Sequence, residues 1–330
     1  MVNVAIAGGT GGVGRAIVEA IKDDSRHTAV VLSRKASAAE DLGLPIIEVD
    51  YENVDALAEV LEKHDIRTVI SALALHIIGV GEAQVNLIKA ADKSPVTKRF
   101  VASSWAVHAP EKYTQMLPHG YQHVAAYAEL ERTSLEWTAF NNGWFLEYYG
   151  MPHVKTNIQQ TTFVVDMANK TASIPGTGKE LMTFTYSLDV AKFVVEALDL
   201  PKWDHDTFVI GDKMTWEEFV KLAEEARGMP AALSPSARRW LTKMATGEKF
   251  TVTYDSVEKL QNGEITELPG QIAAYSYFPK EWVQRLFSVF GNWVTEGVFD
   301  FPEEKALNKQ FPHIKVTTVK EMLNKAWGGK

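Results

Sequence analysis

The chain has 330 residues, 46% hydrophobic and 23% charged, with 34 Lys and Arg against 42 Asp and Glu, a net charge of −8 and no cysteine. Such a composition describes a soluble globular protein of roughly two domains at about 150 residues each, and its acidity disfavours nucleic acid or anionic lipid as partners of a general basic surface. Without cysteine there are no disulfides, thiolate nucleophiles or cysteine-ligated metal centres, so any metal would rest on His and carboxylates alone.

The opening Met1-Val-Asn-Val-Ala-Ile-Ala7 lacks the basic and apolar regions of a signal peptide. No window approaches the roughly 18 apolar residues of a membrane span. A cytoplasmic location is expected, and the sequon Asn169-Lys170-Thr171 is then a chance match. The first strand, Val2–Ala7, runs through a glycine-rich turn into a helix over Gly12–Lys22. Short β-branched runs follow at Thr28–Leu32, Pro45–Val49, Arg67–Ala72, Arg99–Ser103 and Trp137–Asn141. Between them lie helical patterns at Val54–Lys63, Gly81–Ala91 and Tyr121–Thr133. This alternation predicts an α/β fold, a doubly wound parallel Rossmann sheet over residues 1–150. Beyond Gly150 come a segment Phe163–Asp166, a turn at Ile174-Pro-Gly-Thr-Gly178 and helices over Ser187–Leu198 and Trp216–Ala226. The region Ala231–Trp327 is less regular. A smaller, mostly helical C-terminal substrate lobe is expected over 151–330, leaning on the sheet rather than standing as an independent unit.

The turn after the first strand is spaced Gly8-x-x-Gly11-x-x-Gly14, one residue longer than the G-x-G-x-x-G fingerprint. Glycines there let backbone N–H groups approach a pyrophosphate, and the helix that follows adds positive potential. About 20 residues on, where an NAD site carries an acidic residue for the ribose 2′-hydroxyl, the chain reads Ser33-Arg34-Lys35, and Arg15 follows the last glycine. A guanidinium fork suits a 2′-phosphate, so the expected cofactor is NADP(H). Asp50, ending the third strand, is a candidate for the adenine amino group or equally for the cap of the helix from Val54.

Several stretches together resemble the NmrA-like and isoflavone-reductase-like group of atypical short-chain dehydrogenases, in particular its fungal members. They are Gly8–Arg15, Val69-Ile-Ser-Ala-Leu73, Arg99–Trp105, Leu135–Thr138 running into Asn142-Gly-Trp-Phe145, Ile174–Gly178 and Phe184–Phe193, and the likeness spans residues 2–227. The resemblance implies a cofactor set of Gly8, Thr10, Gly11, Gly14, Arg15, Arg34, Lys35, Asp50, Ser71 and Ala72. It also implies a reductase or a non-catalytic sensor of NADP state, with secondary metabolism as the setting.

The proton-transfer pattern of these families is broken. No tyrosine is followed four residues later by lysine, and no lysine occurs from Tyr113 to Val154. By the family's spacing the lysine position falls at His123, which could replace it because imidazole titrates near neutrality. Tyr121 and Ser103 are further candidates for orienting a substrate oxygen. His119 and His123 stand four apart, but Pro118 and Gly120 place the helix start near Tyr121 and no carboxylate completes a metal site, so no metal is expected.

Nine aromatics fall in residues 275–301, and Trp282, Leu286, Phe290 (or Val289) and Trp293 have helical spacing. Such a stripe is ordinary helix core, or part of an apolar substrate pocket with Trp105, Asn142, Trp144, Phe145 and Tyr148. The expected activity is NADP(H)-dependent reduction or oxidation of an aromatic or polyketide-like small molecule. The alternatives are the sensor and a non-redox isomerase or cyclase on the same fold.

Overall fold

The computed structural model describes residues 1–35, 42–75, 77, 79–108, 117, 120–228, 248–276 and 278–330. These divide into two compact units. The first comprises Met1–Asn142, Ser187–Val209 and Pro302–Ile314; the second comprises Gly143–Tyr186, Ile210–Phe301 and Lys315–Lys330.

In the first unit, β1 (Asn3–Ala7), α1 (Gly12–Asp24), β2 (Thr28–Ser33), β3 (Ile46–Glu48), α2 (Val54–Lys63), β4 (Thr68–Ser71), α3 (Val80–Lys93), β5 (Arg99–Ala106), α4 (Tyr121–Leu130) and β6 (Glu136–Asn141) alternate along the chain. The sheet order is β3-β2-β1-β4-β5-β6, closed at the outer edge by Asp206–Phe208 against β6, and every pairing is parallel. Order reverses between β1 and β4, the switch point where doubly wound sheets open a crevice at their strand ends. Val4–Ala7 and Thr68–Ser71 are buried throughout because helices cover both faces. One face carries a core of Leu57, Leu61, Leu87, Ala91, Ala126 and Leu130 from α2, α3 and α4 on Ala5, Ala7, Val69 and Phe100. α1 packs instead on the helix Ser187–Ala197.

The β5–β6 pairing is irregular. Ala102 faces Ala139, yet Ala106 faces Asn141, so Ser103–Trp105 bulge out of the ladder and turn the end of β5.

The second unit carries helices Trp216–Arg227, Lys280–Thr295 and Val319–Trp327 together with two three-stranded sheets. One sheet joins Trp144–Phe145, Leu181–Thr185 and Asp212–Thr215; the other joins Val165–Asp166, Thr171–Pro175 and Thr251–Asp255. The unit boundary falls at Gly143 rather than at residue 150. Gly143 has φ +68°, and a Cβ there would lie 2.2 Å from the Thr183 carbonyl oxygen, so only glycine permits the turn. Residues 187–209 and 302–314 return to the first unit, supplying its last helix and edge strand.

The expected stripe is met in part. Lys280–Thr295 buries Val289 and Trp293 as expected, together with Val283, Phe287 and Val294, whereas Trp282, Leu286 and Phe290 are half-buried. Trp282 lies flat on Phe278, with centroids 4.8 Å apart.

Candidate cofactor and proton-transfer site

The glycine turn crosses from β1 to α1 at the switch point. Gly8 has φ +80°, and a Cβ on it would sit 2.5 Å from the Ala72 carbonyl oxygen; a Cβ on Gly14 would sit 2.3 Å from the Gly8 carbonyl oxygen. These two glycines close the loop against β4 and α1. A Cβ on Gly11 or Gly12 would meet nothing within 4 Å. The loop is therefore tight on its protein side and open on the other. Gly11 caps α1 without a side chain and no acidic residue occupies the first turn, so the leading N–H groups of α1 face the open side uncovered. This cradle fits a dinucleotide pyrophosphate. Thr10 is half-buried within the turn.

Ala72 forms the floor of the loop, its N–H bonded to the Ala7 carbonyl at 2.8 Å. Ser71 is wholly buried, and its carbonyl accepts from the Trp105 indole at 3.1 Å. Arg34 and Lys35 are exposed just past β2 and make no ion pair among the described residues. Arg15 is instead paired with Glu19 at 3.1 Å along α1. Asp50 is exposed, and its carboxylate accepts from Glu52 N at 2.9 Å. The alternative cap role of Asp50 is overturned: Asn53 caps α2 by accepting from Ala56 N, because it immediately precedes the first helical residue.

Of the catalytic candidates, Ser103 is buried and its hydroxyl donates to the Leu73 carbonyl at 2.8 Å, while its N–H donates to Gln84 Oε1. Tyr121 heads α4 and is 62% exposed, and His123 is half-buried one turn before Tyr127. His119 and Tyr277 lie outside the described residues.

The bulged end of β5 brings in a group that sequence reasoning missed. His108 N donates to Asn141 Oδ1, and its ring Nδ1 lies 2.8 Å from Asp206 Oδ1, which also accepts from Asn141 Nδ2 at 3.1 Å. Partial burial works against the Asp206 charge, but the His108 and Asn141 hydrogen bonds outweigh it and hold the carboxyl below its ordinary pKa. An ionised acceptor fixes the proton of His108 on Nδ1, leaving Nε2 without a partner among the described residues. The imidazole also lies 4.1 Å from the Tyr127 ring. Burial pushes the Tyr127 phenol well above its usual range, so it stays protonated. His108 and Asp206 are 98 residues apart, and the pairing of Asp206–Phe208 with β6 brings them together. Among the described residues no group of three or more His or carboxylates forms a metal site.

The expected substrate residues fall in both units. Trp105 and Asn142 belong to the first; Trp105 stacks on Phe140 at 5.7 Å and Asn142 is fully buried. Trp144, Phe145 and Tyr148 belong to the second, where Trp144 packs on Tyr148, Phe163 and Phe290 at 4.6–5.5 Å.

Residues 8–201 match the model of the NAD(P)H-binding family. The oxidoreductase BOA1 of Botryotinia fuckeliana is 34% identical over 319 residues, covering 95% of this chain and 96% of that protein. The oxidoreductase swnN of Metarhizium robertsii is 30% identical over 359 residues, covering 99% and 98%. A ternary complex of leucoanthocyanidin reductase from Vitis vinifera covers 98% of both chains with a TM-score of 0.69 at 17% identity, a likeness of fold. The structure of AtPrR2 with NADP+ and (+)pinoresinol matches with a TM-score of 0.69 at 18% identity.

Proposed function

Because the chain belongs to the NAD(P)H-binding family, in line with its NmrA-like and isoflavone-reductase-like features, we propose that it is an NADP(H)-dependent reductase of a hydrophobic aromatic or polyketide-like small molecule, working in fungal secondary metabolism in the cytoplasm. The observation that carries this reading is the loop that Gly8 and Gly14 close on the protein side and Gly11 and Gly12 leave open, with the exposed Arg34 and Lys35 past β2, which make no ion pair among the described residues. An uncovered helix N-terminus favours the pyrophosphate, and exposed cations at the second strand favour a ribose 2′-phosphate. Fungal relatives that are oxidoreductases along almost their whole length support the redox assignment.

Bound NADP(H) supplies or accepts the hydride. The chain itself must handle one proton. We assign that proton to His108: its imidazolium gives Nε2–H to the substrate oxygen while hydride reaches the carbonyl carbon, converting ketone to alcohol. Asp206 holds Nδ1–H and stabilises the imidazolium, Asn141 holds Asp206, and the Tyr127 ring supports the imidazole face. Tyr121 and His123, at the head of α4, serve to orient the substrate. Ser103 is left to the fold, since its proton is committed to the Leu73 carbonyl.

The test incubates the protein with NADPH and a panel of aromatic ketones and enones, following nicotinamide absorbance and product mass together. Loss of NADPH with a product two hydrogens heavier supports the reductase. Product without NADPH loss would mark an isomerase, and tight NADPH binding with neither would mark a sensor.

A further inference from the structure

Arg34 is exposed, yet its backbone is fixed from both sides. After it, Ser33 Oγ donates to Lys35 O at 3.0 Å and lies 3.3 Å from Lys35 N, closing a short turn around Arg34. Before it, the Tyr51 phenol donates to the Leu32 carbonyl at 3.1 Å. Tyr51 is 7% exposed and comes from the segment after β3, so this bond ties two successive strand ends together. Its own carbonyl accepts from Asn86 Nδ2 of α3 at 2.9 Å, which extends the tie to a third element. Burial pushes the Tyr51 phenol well above its usual range against the smaller, opposing charge of Arg34, so the hydroxyl stays protonated and a donor. A long cation binds a fixed phosphate well when its attachment point is already in place, because little freedom is then lost on binding.

We propose that Tyr51 is a positioning residue for cofactor choice: by holding the Leu32 carbonyl it presents Arg34 to the ribose 2′-phosphate, and so sets the preference for NADPH over NADH. The proposal rests on the NADP(H) reading above. NADH lacks the 2′-phosphate, so its binding does not draw on this tie. The hydroxyl is absent from every group assigned to pyrophosphate or proton, which separates its effect from theirs.

The experiment measures dissociation constants for NADPH and NADH by titration calorimetry in the full chain, in Tyr51→Phe, in Arg34→Ala and in the double variant. Tyr51→Phe is expected to weaken NADPH roughly 3- to 10-fold, the worth of about one hydrogen bond, while NADH stays within about twofold. In the Arg34→Ala background the same change should have no further effect on NADPH. Equal weakening of both cofactors, an undiminished effect without Arg34, or no effect at all overturns the proposal. If Tyr51→Phe does not fold, Asn86→Ser releases the Tyr51 carbonyl and carries the same expectation. Equal affinities of the unaltered protein for NADPH and NADH would instead refute the cofactor reading itself.

Discussion

Replacing Gly14 and Gly11 by alanine, one at a time, separates what the loop does for the fold from what it does for the cofactor. At Gly14 the new Cβ would lie 2.3 Å from the Gly8 carbonyl oxygen and 2.8 Å from its carbon. Ordinary contact begins near 3.4 Å, so α1 and the loop must separate by about 1 Å. The obstacle is backbone and cannot rotate away, which puts the cost at the upper end of overpacking, about 3 kcal/mol, or a fall in Tm of roughly 5–10 °C. At Gly11, where φ is −157° and nothing lies within 4 Å, alanine costs only what a poorer helix cap costs, about 1 kcal/mol or less. Its methyl instead enters the space in front of the α1 N-terminus. NADPH should bind Gly11→Ala at least about 10-fold more weakly, a loss of about 1.4 kcal/mol. Scanning calorimetry on the apo proteins and titration calorimetry with NADPH give the two readouts. A Gly14→Ala protein as stable as the parent, or a Gly11→Ala protein that binds NADPH with parental affinity, refutes the reasoning.

His108→Gln should lower kcat by roughly 10²–10⁴ with NADPH affinity unchanged, checked by steady-state kinetics alongside calorimetric binding. Asp206→Asn should lower kcat and move the alkaline fall-off of the pH–rate profile for reduction to lower pH, since the imidazolium that must give the proton loses its carboxylate; an unchanged profile would remove Asp206 from that role. The same carboxyl titrates below its ordinary value of 3.8 in the fold, so its contribution to stability is full above that pH and is lost as the pH falls further. The Tm gap between parent and Asp206→Asn should therefore hold steady above about pH 5 and narrow as the pH falls below about 4, by differential scanning fluorimetry. In the second unit, buried Asp255 binds Ser173, Lys259 and Thr266, and Asp255→Ala should cost about 2–4 kcal/mol in urea unfolding by leaving those donors unpaired.

Local pattern carried the sheet well, because buried parallel strands and amphipathic helices each leave a periodic trace; the predicted helix at Val54–Lys63 matches α2 at both ends. The glycine turn was legible for the same reason: spacing, preceding strand and following helix all lie within 20 residues. His108 and Asp206 were not, since neither stands in a pattern and their meeting depends on a three-residue edge strand and a bulge that local sequence does not announce. The 280–295 helix was visible, and of its buried face Val289 and Trp293 were legible whereas the positions nearer its start were not. Aromatic rings can stack at a half-exposed surface as well as in a core, and Trp282 on Phe278 does so. Asp50 lost the cap to Asn53 because both residue types suit the position and only the first helical turn decides between them.

The cofactor unit is assembled from three separate stretches of chain, and this sets an order on synthesis. When residue 142 leaves the ribosome, β6 is an unpaired edge, and it stays so until Asp206–Phe208 follow, after the early strands of the second unit have already emerged. Neither unit can then be excised as a single uninterrupted fragment. A truncation after Asn142 leaves an open sheet without its last helix and strand, and its expected fate is self-association rather than a free nucleotide-binding module.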